Sequence, residues 1–336
     1  MREQRQTSAR ATGTAGVVLR FTGRRLLLGL LTLLIVSFLV FTLTQALPGD
    51  IARQILGQNA TETQLENLRA KLGLDQHFLV QYLNWLMGVL RLDFGQSLAS
   101  GTPVSELLAV RTGNTATIVV LALLVSLPLA IFLGGLAASR SGRFSDHVIS
   151  GSMFAILSLP EFVVGVILIL LFAGPVLKLF PPASILDPRQ PALEQPELIV
   201  LPCLTMILIA LPHLTESVKT LVRDELSSEH VLWARLYGIR QPRILARGVV
   251  PNVASPTSQI VATTINFLLG GSVAVETVFG FPGLGSALVA AVSNRDIVVV
   301  QGIAIGIAAF MVLAFLIADL IGLLTTPKLR TGTVHS

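Results

Sequence analysis

The chain has 336 residues, of which 52% are hydrophobic and only 13% are charged, and its mean hydropathy is +0.76. Soluble domains carry about 25% charged residues, so this composition excludes an ordinary soluble globular protein and indicates that lipid is the solvent for much of the chain. The net charge of +5 is a poor argument for nucleic-acid binding, because the basic residues concentrate on one predicted side of a membrane.

Six stretches are apolar for long enough to cross a bilayer as helices, which takes roughly 20 residues. They are continuous apolar runs and not the alternating ten-residue segments of a membrane barrel. We therefore predict an all-α polytopic membrane protein with six transmembrane helices. The predicted spans are 26–47, 115–139, 147–176, 198–218, 253–275 and 297–325.

The distribution of lysine and arginine predicts the orientation of these helices. With the N-terminus in the cytoplasm, 16 of the 24 Lys+Arg residues lie inside and 8 lie outside, mostly in one long loop where the bias counts little. Both termini are therefore expected in the cytoplasm, with residues 1–25 as a basic N-terminal segment and 331–336 as a short tail. The first span has an uncharged core too long for a signal peptide, so we expect it to remain as a membrane helix.

Residues 48–113, between the first two spans, are predicted to form an external helical segment. Thr61 and Gln64 fit a capping box, and leucines follow at helical spacing. A second amphipathic run begins at Phe78. Two interpretations remain open for this segment. It is either a small packed cap on the membrane surface or a docking surface for an extracytoplasmic partner that delivers substrate.

A basic segment interrupts the apolar sequence between the fourth and fifth spans, at residues 227–248. Ser228 is suited to N-cap a short helix, Gly238 to the left-handed position after its end, and Pro242 to the first turn of a second helix. Two short helices would form a compact knob at the inner membrane surface. Either this knob rests on anionic lipid as a basic helix, or its apolar residues fill a groove on another protein. Those apolar residues are Val231, Leu232 and Trp233.

Three acidic residues lie within the predicted spans or at their ends, namely Glu161, Glu276 and Asp319. An aspartate facing lipid at the bilayer centre costs roughly 2.5–3.5 kcal/mol on insertion scales, so these side chains should face protein or water. They are candidates for a polar translocation path through the membrane. The alternative is internal hydrogen bonding, which we favour for Glu276 because a tight glycine-containing turn follows it. That turn consists of Phe279, Gly280, Phe281, Pro282 and Gly283.

Several further stretches form a recognisable pattern. The basic segment runs E-H-V-x-x-A-R-x-x-G from Glu229 to Gly238, and the external segment contains GLDQHFLVQYLNWLMGVLRLDFGQSL at residues 73–98. The stretches VETVFGFPGLGSAL and VVVQG occupy residues 275–288 and 298–302, and TPKLR follows the last span. Together they resemble the first permease subunit of bacterial ABC importers of the dipeptide/oligopeptide family, over residues 24–330. The chain departs from the family pattern at His77, at residues 92–95 and at Thr326.

This resemblance implies a type I ABC importer permease fold, with a five-helix core over residues 114–330. In that family the basic segment is a coupling loop that docks into a cleft of the ATPase subunit, which corresponds to residues 223–250 here. The resemblance also implies a second related permease subunit, two ATPase domains, an extracytoplasmic solute-binding protein and a peptide cargo in the bacterial cytoplasmic membrane. The implied coupling residues are Glu229, His230, Val231, Trp233, Ala234, Arg235, Gly238, Ile239 and Pro242.

Motifs that the sequence lacks bear on the source of energy. There is no G-x-x-x-x-G-K-[ST] motif, H-E-x-x-H motif or metal-ligand set, so we predict a non-catalytic subunit without a metal or cofactor of its own. ATP and Mg would bind to the partner ATPase subunits. The alternative is an ion-gradient-driven secondary transporter, which would use broken helices and intramembrane carboxylates, and the Pro160-Glu161 step is its best support. Dipeptides, longer peptides, glutathione, haem and nickel chelates all remain possible cargoes.

Overall fold

The computed structural model describes residues 2–45, 56, 60–72, 75–175, 177–187 and 190–325. Within these ranges the chain is helical and contains no β-strand. The α-helices are α1 (Arg2–Gln45), α2 (Glu62–Leu72), α3 (Phe78–Leu90), α4 (Val104–Ser139), α5 (Phe144–Leu157), α6 (Glu161–Leu168), α7 (Pro196–Leu226), α8 (Glu229–Leu236), α9 (Gln241–Ile244), α10 (Val250–Phe279), α11 (Leu284–Ser293) and α12 (Ile297–Thr325). A π-helical turn (Ile169–Ala173) extends α6, and another (Leu245–Val249) joins α9 to α10.

Five of the described helices contain segments long and apolar enough to cross a membrane. They are Thr22–Gln45, Val104–Ser139, Pro196–Leu226, Pro256–Phe279 and Ile297–Leu320. A sixth span is a broken one, because Phe144–Leu157 and Glu161–Ala173 pass the same test together but are bent by 99°. Six spans are therefore confirmed if the bent pair counts as one.

The third span, predicted for residues 147–176, is not a single helix. The break falls at Pro160, whose ring disfavours a helical conformation at Leu159 and whose nitrogen donates no hydrogen bond to the preceding turn. Proline does fit the N-terminus of a new helix, and α6 begins immediately after it. Glu161 consequently lies in the first turn of a helix and not in the middle of one.

The second predicted span is too short, because α4 begins at Val104 and not near residue 115. Its first turns are held in place by the buried side chains of Val104 and Leu108, which pack against α11 and α12. Residues 104–113 therefore form the first turns of α4 and contribute to the helical core. α7 likewise runs past the predicted residue 218 to Leu226.

Helices α4 and α7 form the centre of the bundle. Gly134 allows them to approach closely, since a Cβ atom at this position would lie 2.7 Å from the carbonyl oxygen of Thr215. Large side chains without exposed surface fill the space between these helices and α10, among them Ile118, Met206 and Leu214. The bundle therefore has a packed centre around which α5, α6, α10 and α12 are arranged.

The external segment is helical, as predicted. The backbone nitrogen of Thr61 donates to Oε1 of Gln64 over 3.0 Å, and the following leucine on the inner face, Leu65, is fully buried. The side chains of the other predicted positions on that face, Leu68 and Leu72, lie outside the described residues. α3 packs on the last turns of α1 through an aromatic cluster of Phe38, Phe41, Phe78, Tyr82 and Trp85.

The helices alternate in direction, so their ends fall into two groups. We call the end that holds residues 227–249 the inner end, following the charge distribution, and the opposite end the outer end. The inner end contains the C-termini of α4, α7 and α12. The outer end contains α11, the turn after α10 and the irregular segment before α7. Among the described residues of that proline-rich segment, 177–187 and 190–195, the helical part is a short turn at Ala192–Glu194, and Leu186 packs against the core.

Candidate functional site

The inner loop folds locally as its sequence predicts. Ser228 has an extended backbone before α8, and Gly238 follows the helix with φ +73°. The backbone nitrogen of Ile239 donates to the carbonyl oxygen of Ala234 over 3.1 Å, which closes the last turn. One local detail differs, because the Ser228 hydroxyl does not cap α8 but donates to the carbonyl oxygen of Glu225 over 2.6 Å.

One side of this loop is anchored in the bundle. Val231, which is 1% exposed, packs with Ile244 and Val249 of the same loop against Val218 and Val222 near the end of α7. The expectation that Val231 contacts another protein is therefore wrong, since its side chain belongs to the core. The anchoring makes α8 a rigid extension of the long helices α7 and α10.

The other side of the loop carries large apolar side chains on the surface. Trp233 is 59% exposed and Tyr237 is 81% exposed. The exposed apolar side chains are Leu232, Trp233, Leu236, Tyr237 and Ile239. Exposed arginines at positions 235, 240, 243 and 247 surround them. We refer to these five apolar residues as the α8 patch.

The remaining predicted coupling residues lie around the α8 patch. Glu229 and His230 are exposed in the first turn of α8, and Ala234 is half-buried beneath it. The side chain of Pro242 lies outside the described residues, although its backbone forms the first turn of α9 as predicted.

Glu225 at the end of α7 is a polar anchor of the loop that the sequence did not reveal. Its Oε1 atom lies 3.2 Å from Nε2 of His230 and accepts a hydrogen bond from Nδ2 of Asn252 over 2.6 Å. Glu225 thus joins α7, α8 and the start of α10. No local motif predicts this contact, because Asn252 is 27 residues away in the chain.

The three predicted intramembrane acids lie in three separate places. Glu276 is fully buried near the outer end, where Oε1 accepts from the Thr115 hydroxyl over 2.7 Å and Oε2 accepts from the backbone nitrogens of Gly285 and Ser286 over 2.6 and 3.0 Å. It thus stabilises the N-terminus of α11. The turn before α11 is also as predicted, with Gly280 at φ +62°. This geometry favours the structural interpretation of Glu276 over the translocation path.

Asp319 lies at the inner end, buried between three helices. Its Oδ2 atom is 3.0 Å from Nη1 of Arg25, and Oδ1 accepts a hydrogen bond from Nε2 of Gln259 over 3.0 Å. The carboxylate therefore connects α1, α10 and α12. Both oxygen atoms are engaged in these contacts, which is the arrangement expected of a packing residue.

Glu161 differs from the other two acids, because its side chain is half-exposed and borders a cleft. The cleft has a volume of about 390 Å³ and is lined by residues 156–161 around the helix break, together with Val164, Ile209, Pro212 and Phe267. Asp319 also borders a cleft, of about 540 Å³, but both of its oxygen atoms are engaged, whereas Glu161 makes no hydrogen bond or ion pair with the described residues. The structure therefore narrows the candidate path to this side of the bundle.

Two further polar contacts involve residues that the sequence did not single out. At the inner end, Nζ of Lys219 lies 2.5 Å from Oδ1 of Asp146 and donates to the Ser150 hydroxyl over 2.7 Å. At the outer end, Asp296 accepts from the Ser97 hydroxyl over 2.5 Å and from the backbone nitrogen of Ala99 over 3.2 Å. The first contact joins α5 to α7, and the second joins the external segment to the start of α12.

Comparison with known proteins identifies the family. Residues 126–331 match the family described as "Binding-protein-dependent transport system inner membrane component", and residues 18–133 match its N-terminal counterpart. The chain belongs to this family. It is therefore a permease component of a binding-protein-dependent transport system and a multi-pass protein of the inner membrane.

Two relatives show how far the similarity to this permease extends. The "Probable peptide ABC transporter permease protein y4tP" of Sinorhizobium fredii is 31% identical over 307 residues, which cover 91% of this chain and 98% of the relative. The "Oligopeptide transport system permease protein AppB" of Bacillus subtilis is 30% identical over 310 residues, with 91% and 98% coverage. The similarity thus spans almost the whole length of the permease and of both relatives.

Proposed function

We propose that this permease is the membrane subunit of an ATP-driven importer of peptides, with both termini and the inner loop in the cytoplasm. Its partners are a second related permease, two ATPase domains and an extracytoplasmic solute-binding protein. The family membership and the peptide-transport names of both relatives support the cargo and the partners. In this proposal the chain breaks no bond, and ATP and Mg bind to the ATPase subunits.

The α8 patch is the observation that carries the coupling part of this proposal. Exposed tryptophan, tyrosine and arginine are typical of protein–protein interfaces and of the residues that dominate their binding energy. An ATPase subunit with an apolar cleft would cover Trp233 and Tyr237, while the surrounding arginines would form the polar rim. The patch lies on a helix that is anchored in the bundle. A fixed surface of this kind is better suited to docking into a protein cleft than to resting on flexible lipid headgroups.

The anchored side of the loop explains how docking could drive transport. Val231, Ile244 and Val249 fix α8 to the ends of α7 and α10, and Glu225 adds a polar contact to the same three elements. A displacement of α8 by the ATPase domains is therefore transmitted to two long membrane helices. This is a rigid-body switching mechanism of the kind known for domain and helix movements.

Ion-gradient-driven secondary transport is a second candidate function, because the bent pair α5–α6 places Glu161 beside a broken helix. The two functions predict different energy sources. Uptake by this chain alone in vesicles with an ion gradient and no nucleotide would favour the second candidate. Family membership in a binding-protein-dependent system favours the first.

The docking role is tested with the double variant Trp233→Ala/Tyr237→Ala in the complete importer reconstituted in proteoliposomes. Each aromatic contact at the centre of an interface contributes about 2 kcal/mol or more, so we expect the ATPase subunits to dissociate during purification and ATP-driven uptake to be lost. The matched control is Phe144→Ala, which removes an 84% exposed aromatic side chain at the same end but outside the loop. Normal uptake by the double variant would contradict the proposal.

A further inference from the structure

The cleft beside the α5–α6 break combines one carboxylate with apolar walls. Glu161 is the sole charged residue among the described residues that line it, and Val164, Ile209 and Phe267 provide aliphatic and aromatic surface. Its volume of about 390 Å³ is within the range of roughly 300–1,000 Å³ that is usual for small-ligand pockets. The cleft is therefore large enough for the end of a peptide.

The Glu161 carboxylate is available for a ligand. In the part of the chain that the structure describes, it makes no hydrogen bond or ion pair, and a Cβ atom placed on Gly271 of α10 would lie 3.5 Å from its Oε1 atom.

The depth of this carboxylate makes a free charge costly. Gly271 precedes the end of α10 at Phe279 by eight residues, or roughly 12 Å along the helix axis. Glu161 beside it therefore lies well inside the membrane-spanning region. A carboxylate at this depth faces water or a cation and not lipid.

The surface next to the cleft is also unsuited to lipid. Thr263, Phe267, Gly270 and Thr277 are exposed along one face of α10 at intervals of three, four and seven residues. His213 of α7 is exposed beside them, with its ring centroid 6.4 Å from that of Phe267. This mixed polar and aromatic face is suited to line a water-filled path that a second permease completes.

We infer that the cleft binds the cationic amino terminus of the transported peptide, an inference that rests on the proposed function. The Glu161 carboxylate accepts hydrogen bonds from the ammonium group, which is a three-proton donor. The ring of Phe267 lines the same cleft and favours a nearby cation through its π face. Val164, Ile209 and Pro212 then surround the first side chain of the peptide, so recognition depends on the terminal charge more than on the sequence.

The test compares Glu161→Gln with the wild type in the complete importer in proteoliposomes. Two peptides of identical sequence are used, one with a free amino terminus and one N-acetylated. For each peptide, the uptake rate of the variant is divided by that of the wild type. Any preference of the solute-binding protein for one peptide affects both rates equally and cancels in this ratio. We expect uptake of the free peptide to fall about tenfold, the effect of losing a hydrogen bond between charged groups. Uptake of the acetylated peptide should remain unchanged, and Glu161→Asp should restore part of the loss.

The same proteins separate this inference from the proposed function. ATPase activity stimulated by the binding protein should persist in Glu161→Gln if only the cleft is affected, whereas an inactive or ATP-independent wild-type complex would refute the proposed function itself. An equal loss of uptake for both peptides would overturn the inference and indicate a structural role. Unchanged uptake of both would overturn it as well.

A labelling experiment provides a readout that does not depend on delivery of the peptide. The variant Glu161→Cys is made in a Cys203→Ala background, which removes the single native cysteine. We expect a water-soluble thiol reagent to modify position 161 in the complete importer, and peptide that occupies the cleft to slow this reaction. A position 161 that the reagent never reaches would overturn the inference and favour pairing of Glu161 with a basic residue of the second permease.

Discussion

The two ends of the helical bundle are held together by different kinds of polar contact. At the outer end, buried carboxylates accept hydrogen bonds from backbone nitrogens. Glu276 accepts from Gly285 and Ser286, and Asp296 accepts from Ala99 and caps the start of α12. Backbone donors at such positions are fixed by the fold, so these contacts persist for as long as α11 and the loop remain folded.

At the inner end, three ion pairs join one side chain to another, and among the described residues Asp146 is the one acid in these pairs that also accepts a backbone hydrogen bond, from Gly142 over 2.9 Å. They lie at helix ends, next to the loop that bears the α8 patch, and at least one partner in each pair is partly exposed. A partly exposed ion pair can open and re-form with other partners or with water at lower cost than a fully buried one. The pairs are Lys219–Asp146, Arg25–Asp319 and His230–Glu225.

This difference suggests that the two ends of the bundle have different roles in the transport cycle. The outer end is a rigid assembly of α10, α11, α12 and the external segment, whereas the helix ends at the inner side are joined by contacts that can exchange. A force applied to α8 would then rearrange the inner end about a fixed outer end. Substitutions at three contacts test these roles, and they are ordered from the largest expected effect on stability to the smallest.

The largest effect is expected from Glu276→Leu, which removes the buried carboxylate at the outer end. Three donors lose their acceptor, and each buried donor without a partner costs roughly 1–3 kcal/mol. We expect a fall in the melting temperature of the purified protein large enough to reduce its yield. Thermal unfolding in detergent, followed by the tryptophan fluorescence or by size-exclusion chromatography, measures this effect.

The control for this prediction is Glu276→Gln, which preserves the volume and one acceptor oxygen. It should destabilise the protein less than Glu276→Leu, because Thr115 or the backbone of α11 keeps an acceptor. If Glu276→Leu unfolds at the wild-type temperature, the outer end is not held by this carboxylate and the comparison between the two ends fails.

An intermediate effect is expected at the inner end from Lys219→Met and Asp146→Leu. Each single substitution leaves the partner charge partly buried without its counter-ion, whereas the double substitution removes both charges. We expect the double variant to be more stable than the sum of the single effects predicts, with a coupling energy of about 1–2 kcal/mol. Melting temperatures of the four proteins in this cycle measure the coupling.

The transport rates of the same four proteins sharpen the comparison. If the Lys219–Asp146 pair must open during each cycle, the double variant should unfold near the wild-type temperature and yet transport at a changed rate. Additive stability effects together with unchanged transport would show that this pair takes no part in the switching of the inner end.

Features set by neighbouring residues were predictable from the sequence. Gly238 and Gly280 lie at left-handed positions as expected, α8 and α9 begin where predicted, and the apolar runs lie within membrane helices. In each case the conformation depends on a glycine, a proline or a continuous apolar run within the segment itself. Pro160 gave the same kind of local signal, but its effect on the third span was underestimated.

Features set by distant residues were not predictable in this way. The pattern around Val231 does not reveal which face of α8 packs inward, because that depends on where the end of α7 lies. The contact between Ser97 and Asp296 joins residues 199 positions apart. Among the three intramembrane acids, only the packed structure distinguishes Glu161, which makes no polar contact with the described residues, from the two acids engaged in hydrogen bonds or an ion pair.

The smallest effect is expected from Ser97→Ala in the external segment. This substitution removes the hydrogen bond to Asp296 and the acceptor of the Ser100 backbone nitrogen, while the backbone nitrogens of Ala99 and Val299 still donate to the same carboxylate. A single hydrogen bond to a charged group is worth about 1.5–3 kcal/mol, and the remaining donors reduce its loss. The melting temperature should therefore change little, while amide hydrogen exchange should accelerate around residues 97–101 alone.

Ser100→Ala is the matched control, because that hydroxyl contacts Thr102 within the same loop and does not reach Asp296. Faster exchange that spreads into α11 and α12 would show that loss of one weak contact loosens the whole outer end. The outer end could then not serve as the fixed part about which the inner end moves.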